Sequence, residues 1–353
     1  MVIMKKFFAL IPLLTLLYGC ASNPPQAVYP FRLPDPTAPA STLKNRLVMF
    51  RNAVGNARTS GTWLYPKNFE NNFTPEEVIA MVREFGYNRI YCRITSETEL
   101  NDYFLALLVA AENANIKAEI VMDLFSFYSR KGSNTIWSFL LPESPDIPDM
   151  VKLIIKRFKS DKAYSTLDGI AIVVNPHRFT GENLDYPKDF HFVWSESSYG
   201  AGKDNDEMVK LSLNLIRDLP EMPAGLRLSI AVPDFYDTLV AEGKLTCGTV
   251  ADFAKTRNDD PKMIVLCHGN VATELKRGTE DELKDKEMIN NKILLLVQVA
   301  NHTSVRSGKI RRRDWSDLTK IIRFFRENAE KHETFEGIIS GPFGIIKTIQ
   351  AEP

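Results

Sequence analysis

The stretch Lys117-Ala118-Glu119-Ile120-Val121-Met122-Asp123-Leu124 decides the architecture. Successive side chains on a strand point to opposite faces. Ala118, Ile120, Met122 and Leu124 therefore share one face, and Lys117, Glu119, Val121 and Asp123 share the other. One face is apolar and the other carries two carboxylates. A strand covered by helices on its apolar face, with acids opposite, suits a (β/α)8 barrel. In that register Glu119 points into the barrel and Asp123 sits at its mouth.

The flanking sequence repeats the alternation of strand and helix. Upstream, Thr74-Pro75-Glu76-Glu77 has the signature of a helix start, with a capping Thr, Pro at the first helical position and Glu77 placed for a capping box. Val78, Val82 and Phe85 line one face of that helix, and Gly86 ends it. Arg89–Thr95 then reads as a strand. Ile90, Cys92 and Ile94 face the helices, Arg89, Tyr91, Arg93 and Thr95 face inward, and Glu97 lies just past its end. The helix Glu99–Asn113 leads back to Lys117. The first strand is assigned to Arg46–Asn52, followed by a long loop through Gly61, Trp63, Tyr65 and Phe69.

Downstream, Val151, Ile154, Ile155 and Phe158 have helical spacing. Further strands are predicted at Asp168–Asn175, Leu226–Val232, Met263–His268, Ile293–Ala300 and Phe335–Ser340. Helices are predicted at Asp206–Leu219, at Glu280–Ile289 and after the capping residue Asp314. Little chain remains after Ser340, so the usual last helix is expected to be missing or replaced by the tail. Eight strands separated by helices predict a single (β/α)8 TIM barrel over residues 43–353. The alternative, an open doubly wound sheet, usually carries a Gly-rich phosphate turn after its first strand. Asn52-Ala53-Val54-Gly55-Asn56-Ala57 is not one.

Composition narrows the function classes. The chain has 353 residues, 25% of them charged, and its 44 basic residues balance 44 acidic ones. That balance argues against a nucleic-acid partner held by bulk charge. The basic run Lys309–Arg313 is read as a solvated turn before a helix. Of the four cysteines, Cys92 and Cys267 fall on apolar strand faces and read as small core residues. No Cys-x-x-Cys occurs, which disfavours structural zinc, and no cofactor is expected.

The N-terminus supplies an address. Lys5 and Lys6 precede the apolar run Phe7–Leu17, too short to span a bilayer, and Leu17-Tyr18-Gly19-Cys20 follows. These residues resemble the lipobox of bacterial lipoproteins. The resemblance implies a signal peptide over residues 1–19, cleavage before Cys20, and lipid on the Cys20 thiol. Ala21 and Ser22 after the Cys resemble outer-membrane sorting, which implies a cell-envelope protein held to the membrane by its lipid. Residues 20–42, rich in Pro, Ala and Ser, read as a tether.

Long aromatic loops follow several predicted strands. Barrel enzymes build their sites from the loops at the C-terminal ends of the strands. The residues placed near that face are Arg93, Glu97, Asp123, Asn175, His177, Asp234, His268, Gln298 and His302. Asp123 and Glu97, from adjacent strands, are the candidate catalytic pair for glycoside hydrolysis, with Glu196 and Asp234 as outside candidates. Trp194, Tyr199, Tyr128 and Trp137 offer rings on which sugars stack. A barrel with this asymmetry resembles the broad glycoside-hydrolase-like superfamily, which implies a polysaccharide or oligosaccharide partner. It departs from the common glycosidase pattern of Glu at the ends of strands four and seven, where it has Asn175 or His177 and Gln298 or His302. Two other readings remain. His177, His268 and His302 with Asp123 form a conceivable zinc set. A binding protein without catalysis would need only the aromatic loops. Glu119, deeper in the barrel, is expected to form an internal ion pair with Arg93, or with Arg89.

Overall fold

In a computed structural model of the chain the two faces of Lys117–Asp123 part as the alternation requires. Ala118, Ile120, Met122 and Leu124 join a core between strands and helices, and Val121 joins a separate cluster inside the barrel. The structure describes residues 37–55, 57–124, 147–176, 203–267, 283–284, 292–298, 300–302, 310–312 and 314–351. Its strands are β1 (Thr59–Leu64), β2 (Arg89–Arg93), β3 (Lys117–Asp123), β4 (Leu167–Val173), β5 (Arg227–Pro233), β6 (Lys262–Cys267), β7 (Ile293–Gln298), β8 (Ala300–His302), β9 (Ile310–Arg312) and β10 (Phe335–Gly341). Strands β1 to β7 and β10 form a closed parallel barrel, with β10 joining β7 to β1. The fold is a (β/α)8 barrel. Its helices are α1 (Ala40–Val54), α2 (Pro75–Glu84), α3 (Asp102–Asn113), α4 (Ile147–Ser160), α5 (Lys203–Arg217), α6 (Phe235–Ala241), α7 (Val250–Lys255), α8 (Trp315–Ala329) and α9 (Phe343–Ala351).

Local chemistry accounts for several boundaries. The capping box at α2 is present in both directions: Glu77 N–H donates to Thr74 Oγ1 (3.3 Å), and Thr74 N–H donates to Glu77 Oε2 (2.8 Å). Asn101 caps α3 by accepting from Phe104 N–H, and Asp314 caps α8 by accepting from Asp317 N–H.

Four sequence expectations are corrected. Arg46–Asn52 is not a strand but the centre of α1, and β1 lies within the expected loop. Leu43, Leu47, Phe50 and Val54 recur at helical spacing, and Phe50 and Val54 are buried. Phe50 packs at 5.2 Å from the Trp315 ring of α8 and 5.6 Å from Phe85. α1 begins at Ala40, within the segment read as tether. The last helix is not missing: α9 follows β10, and its Phe343 is fully buried against Phe85 and Tyr87. Arg46 of α1 donates to the Gln350 carbonyl of α9 (2.8 Å), so the first and last helices are stitched together. The Lys309–Arg313 run is not a turn, since Ile310–Arg312 is β9, antiparallel to β8.

The barrel interior is layered. At its N-terminal end Arg89 reaches Glu119 (2.6 Å) and Asp168 (2.5 Å). The Ser229 hydroxyl donates to Glu119 (2.9 Å), and Lys262 is ion-paired with Glu336. Above lies an apolar layer that includes Tyr91, Val121, Ala171, Ala231, Ile264, Leu294 and Ile339. The interior is thus filled, as small barrels require. Two glycines make the room. A Cβ on Gly169 would sit 2.8 Å from the Arg227 carbonyl oxygen and 3.2 Å from the Glu119 carboxyl carbon. One on Gly61 would sit 2.6 Å from the Tyr91 ring.

Candidate functional site

The C-terminal ends of β1, β2 and β3 bring Tyr65, Arg93 and Asp123 together. Parity sets this up, because Trp63 and Tyr65, Tyr91 and Arg93, and Val121 and Asp123 all lie on inward-facing positions of neighbouring strands. One amino group of Arg93 is ion-paired with Asp123. The other donates to the Tyr65 hydroxyl (2.7 Å), and the guanidinium lies 5.4 Å from the Tyr65 ring centroid. The Asp123 side chain is buried, and Arg93 keeps about a tenth of its side chain exposed. A planar guanidinium shared between a carboxylate and a phenol is a rigid arrangement. It fixes the Asp123 carboxylate at the mouth.

The expected Arg93–Glu119 pair does not form. Glu119 pairs with Arg89, the other candidate, because both sit in the lower layer while Arg93 lies above with Asp123. Burial pushes the Glu119 carboxyl above its usual value, opposed by Arg89, Lys262 and the Ser229 hydroxyl. Burial likewise opposes the Arg89 charge, but Glu119 and Asp168 overcome it and hold the guanidinium above its ordinary range. Burial also acts against ionised Asp168, and Arg89 outweighs it, lowering that carboxyl.

The other candidates disperse. Glu97 lies in a single turn before α3 with 58% of its side chain exposed, and its carboxylate is 3.5 Å from Arg157 of α4. It faces the helical layer, and no contact joins it to Asp123 among the described residues. Asn175 and Asp234 are buried just past the ends of β4 and β5. Burial raises the Cys267 thiol of β6 well above its usual value and Asp234 adds to the rise, which removes this buried thiol as a nucleophile. Gln298 ends β7 and His302 ends β8, with their side chains outside the described set. His177, Trp194, Glu196, Tyr199, His268, Tyr128, Trp137 and Cys20 lie outside the described residues. Among the described residues no cluster of His, Cys, Asp and Glu could hold a metal ion.

Sequence reasoning missed Trp63 and Tyr65 as site residues. The missed signal was the alternation Gly61, Trp63, Tyr65 beside Thr59 and Thr62, a β-prone pattern that lost to the more apolar segment of α1. With β1 misplaced, nothing put an aromatic residue beside Arg93.

No family model matches the chain, and no curated protein does. Among solved structures, a candidate alpha-L-fucosidase from Bacteroides thetaiotaomicron is similar at 12% identity, over 82% of this chain and 89% of that one, with a TM-score of 0.45. The spore cortex-lytic enzyme SleL of Bacillus cereus is similar at 9% identity, over 84% of this chain and 75% of that one, with a TM-score of 0.42. The alpha-L-fucosidase AlfC of Lactobacillus casei is similar at 9% identity, over 87% and 97%, with a TM-score of 0.39. The barrel assignment rests on the strand topology itself.

Proposed function

We propose that this chain is a carbohydrate-recognising barrel domain that binds polysaccharide at its C-terminal mouth and hydrolyses it there. The observation that carries this reading is the buried Arg93–Asp123 pair at the strand ends, held by Tyr65. A carboxylate fixed by a guanidinium is a strong, oriented acceptor for sugar hydroxyls and is placed to act on an anomeric carbon. Hydrolysis needs a second carboxylate. Glu97 faces Arg157, so Asp234, buried at the end of β5, takes that role. The same outward turn of Glu97 favours a second reading, in which the mouth binds glycan without cleaving it. At the N-terminus, lipid on Cys20 holds the domain to the cell envelope, on the outer membrane. No helix among the described residues is long and apolar enough to cross a membrane.

The test is a polysaccharide panel offered to the purified chain, scored for binding and for released reducing ends. Asp123→Asn is expected to abolish release and keep binding. Binding without release by the native chain selects the second reading. Neither binding nor release on any glycan rejects both. For the anchor, the mature N-terminus of membrane-fractionated protein is expected to be lipidated Cys20, and Cys20→Ala is expected to leave the protein unlipidated. Retention of Met1 or Met4 in that fraction rejects it.

A further inference from the structure

Two donors just inside the mouth have no acceptor among the described residues. The Nε1–H of Trp63 is buried without a hydrogen-bond partner among the described residues, and so is the Nε–H of Arg93. Both groups can only donate. A buried donor left unmet is costly, and native proteins keep few of them. Trp63 and Arg93 sit on inward positions of adjacent strands, with Trp63 level with Tyr91 and Arg93 one inward position further toward the mouth. Gly341 of β10 packs against Trp63 from the other side, where a Cβ would come within 2.9 Å of the Trp63 Cβ. The hydroxyl of Tyr91, level with Trp63 and in the same interior cluster, also lacks a partner among the described residues, but Tyr91 is fully buried, whereas Trp63 as a residue keeps 7% of its surface open, its indole nitrogen lying under that opening. The Trp315 indole is without an acceptor among the described residues too, but it lies in the aromatic cluster outside the barrel. Among the described residues, Trp63 and Arg93 are unmet donors on adjacent strands, and Arg93 belongs to the oriented ion pair.

We propose that the Trp63 indole N–H and the Arg93 Nε–H form the floor of the ligand site and take a neutral acceptor oxygen, a sugar hydroxyl, as their shared partner. This deepens the carbohydrate reading above and rests on it. The charge balance selects a hydroxyl over a carboxylate. The Arg93 charge is already met by Asp123, and Asp234 stands at the same end of the barrel. A uronate carboxylate on the floor would lie beside the Asp123 carboxylate, whose pairing already uses the Arg93 charge. Trp63 and Arg93 act here as positioning and specificity residues, holding the sugar in register with Asp123.

The probes are D-galactose, D-glucose and L-fucose as neutral sugars, with D-glucuronate as the charged counterpart, titrated into the full chain labelled with 15N-tryptophan. The four tryptophans give one indole signal each, and Trp63→Phe assigns the relevant one by its loss. Binding of at least one neutral sugar is expected to move the Trp63 indole proton downfield, saturably. Trp63→Phe is expected to weaken that sugar about tenfold, the value of one hydrogen bond. D-glucuronate is expected to bind more weakly than the neutral sugars. A neutral sugar that binds by calorimetry while the Trp63 signal stays still overturns the inference and leaves the carbohydrate reading standing. Tighter binding of glucuronate overturns the choice of a neutral acceptor. No binding of any sugar or polysaccharide overturns both. Where Trp63→Phe folds poorly, Trp137→Phe, Trp194→Phe and Trp315→Phe assign the other three signals, and the remaining one is that of Trp63 in the native chain.

Discussion

Arg89 and Arg93 lie on the same face of β2, and each meets a carboxylate of β3. Arg89 belongs to a closed network at the N-terminal end, where Glu119, Asp168 and Ser229 answer it and Lys262 and Glu336 answer each other. Arg93 belongs to an open arrangement at the C-terminal end, where Asp123 and Tyr65 use its two amino groups and its Nε–H meets nothing among the described residues. The lower network is complete within the protein and serves stability. The upper one is incomplete among the described residues, as expected where a ligand supplies the missing acceptor. The two ends should therefore respond differently to the same kind of substitution.

The largest contrast is at Arg89. Arg89→Met leaves Glu119 and Asp168 without their shared cation. Removing one partner of a buried pair costs about 3–5 kcal/mol, and here two carboxylates are left. The expected result is a large drop in the urea midpoint, with glycan binding by the remaining folded protein unchanged. A loss below about 1 kcal/mol would mean that the lower network is as open to water as the mouth. Next comes Gly169→Ala. The new methyl meets the Arg227 backbone oxygen and the Glu119 carboxylate, and the backbone cannot step aside. Overpacking of this kind costs about 1–3 kcal/mol. Asp123→Asn at the mouth is expected to cost less, about 1 kcal/mol, because the amide oxygen still accepts from Arg93. Its main effect is expected on glycan release, so a midpoint loss as large as that of Arg89→Met would erase the contrast.

The lower network also predicts an acid limb. Arg89 holds Asp168 below its unfolded value against the opposing effect of burial. Asp168 thus contributes stability that is present above the unfolded pKa, about 4. That contribution is lost as the pH falls through the lower folded value. Glu119, raised by burial, titrates in the opposite sense: it favours the folded state at low pH and gives that up as the pH rises past its unfolded value. The acid limb is therefore read from Asp168→Asn, which should flatten urea midpoints between pH 5 and pH 2, a range set by the ordinary carboxylate pKa. An unchanged slope would place the acid sensitivity elsewhere.

The register of β2 and β3 was legible because their two faces differ in polarity. That was enough to place Arg93 and Asp123 at the mouth and Glu119 deep inside. It could not choose between Arg89 and Arg93 for Glu119, since both face inward and each lies one inward position from Tyr91, which is level with Glu119; Asp123 takes Arg93, and Asp168 joins Glu119 on Arg89. The first strand was illegible for a different reason. Thr59-Ser60-Gly61-Thr62-Trp63-Leu64 is less apolar than Leu47-Val48-Met49-Phe50, and hydrophobicity alone favoured the helix segment as a strand. Glu97 was misleading because a chain leaving a strand turns. Past Arg93 the strict alternation ends, and the residue four positions on points to α4.

The smallest expected effect sharpens the comparison most. Trp63→Phe removes a buried N–H that meets no acceptor among the described residues and keeps an aromatic ring in place. Deleting a satisfied donor normally costs about 1 kcal/mol, but deleting an unmet one relieves a desolvation penalty of about 1–3 kcal/mol. Against this stands the smaller volume of Phe inside the barrel, which leaves a cavity costing of the same order. The two nearly cancel, so the urea midpoint is expected to move by less than the equivalent of about 0.5 kcal/mol. At the lower end no such deletion is free, because Ser229→Ala takes a donor from a buried carboxylate and should cost about 1–3 kcal/mol. Should Trp63→Phe cost more than about 2 kcal/mol while Ser229→Ala costs nothing, the roles of the two ends would be reversed. The indole N–H would then have a partner in the protein, and it could not be the donor that waits for a ligand.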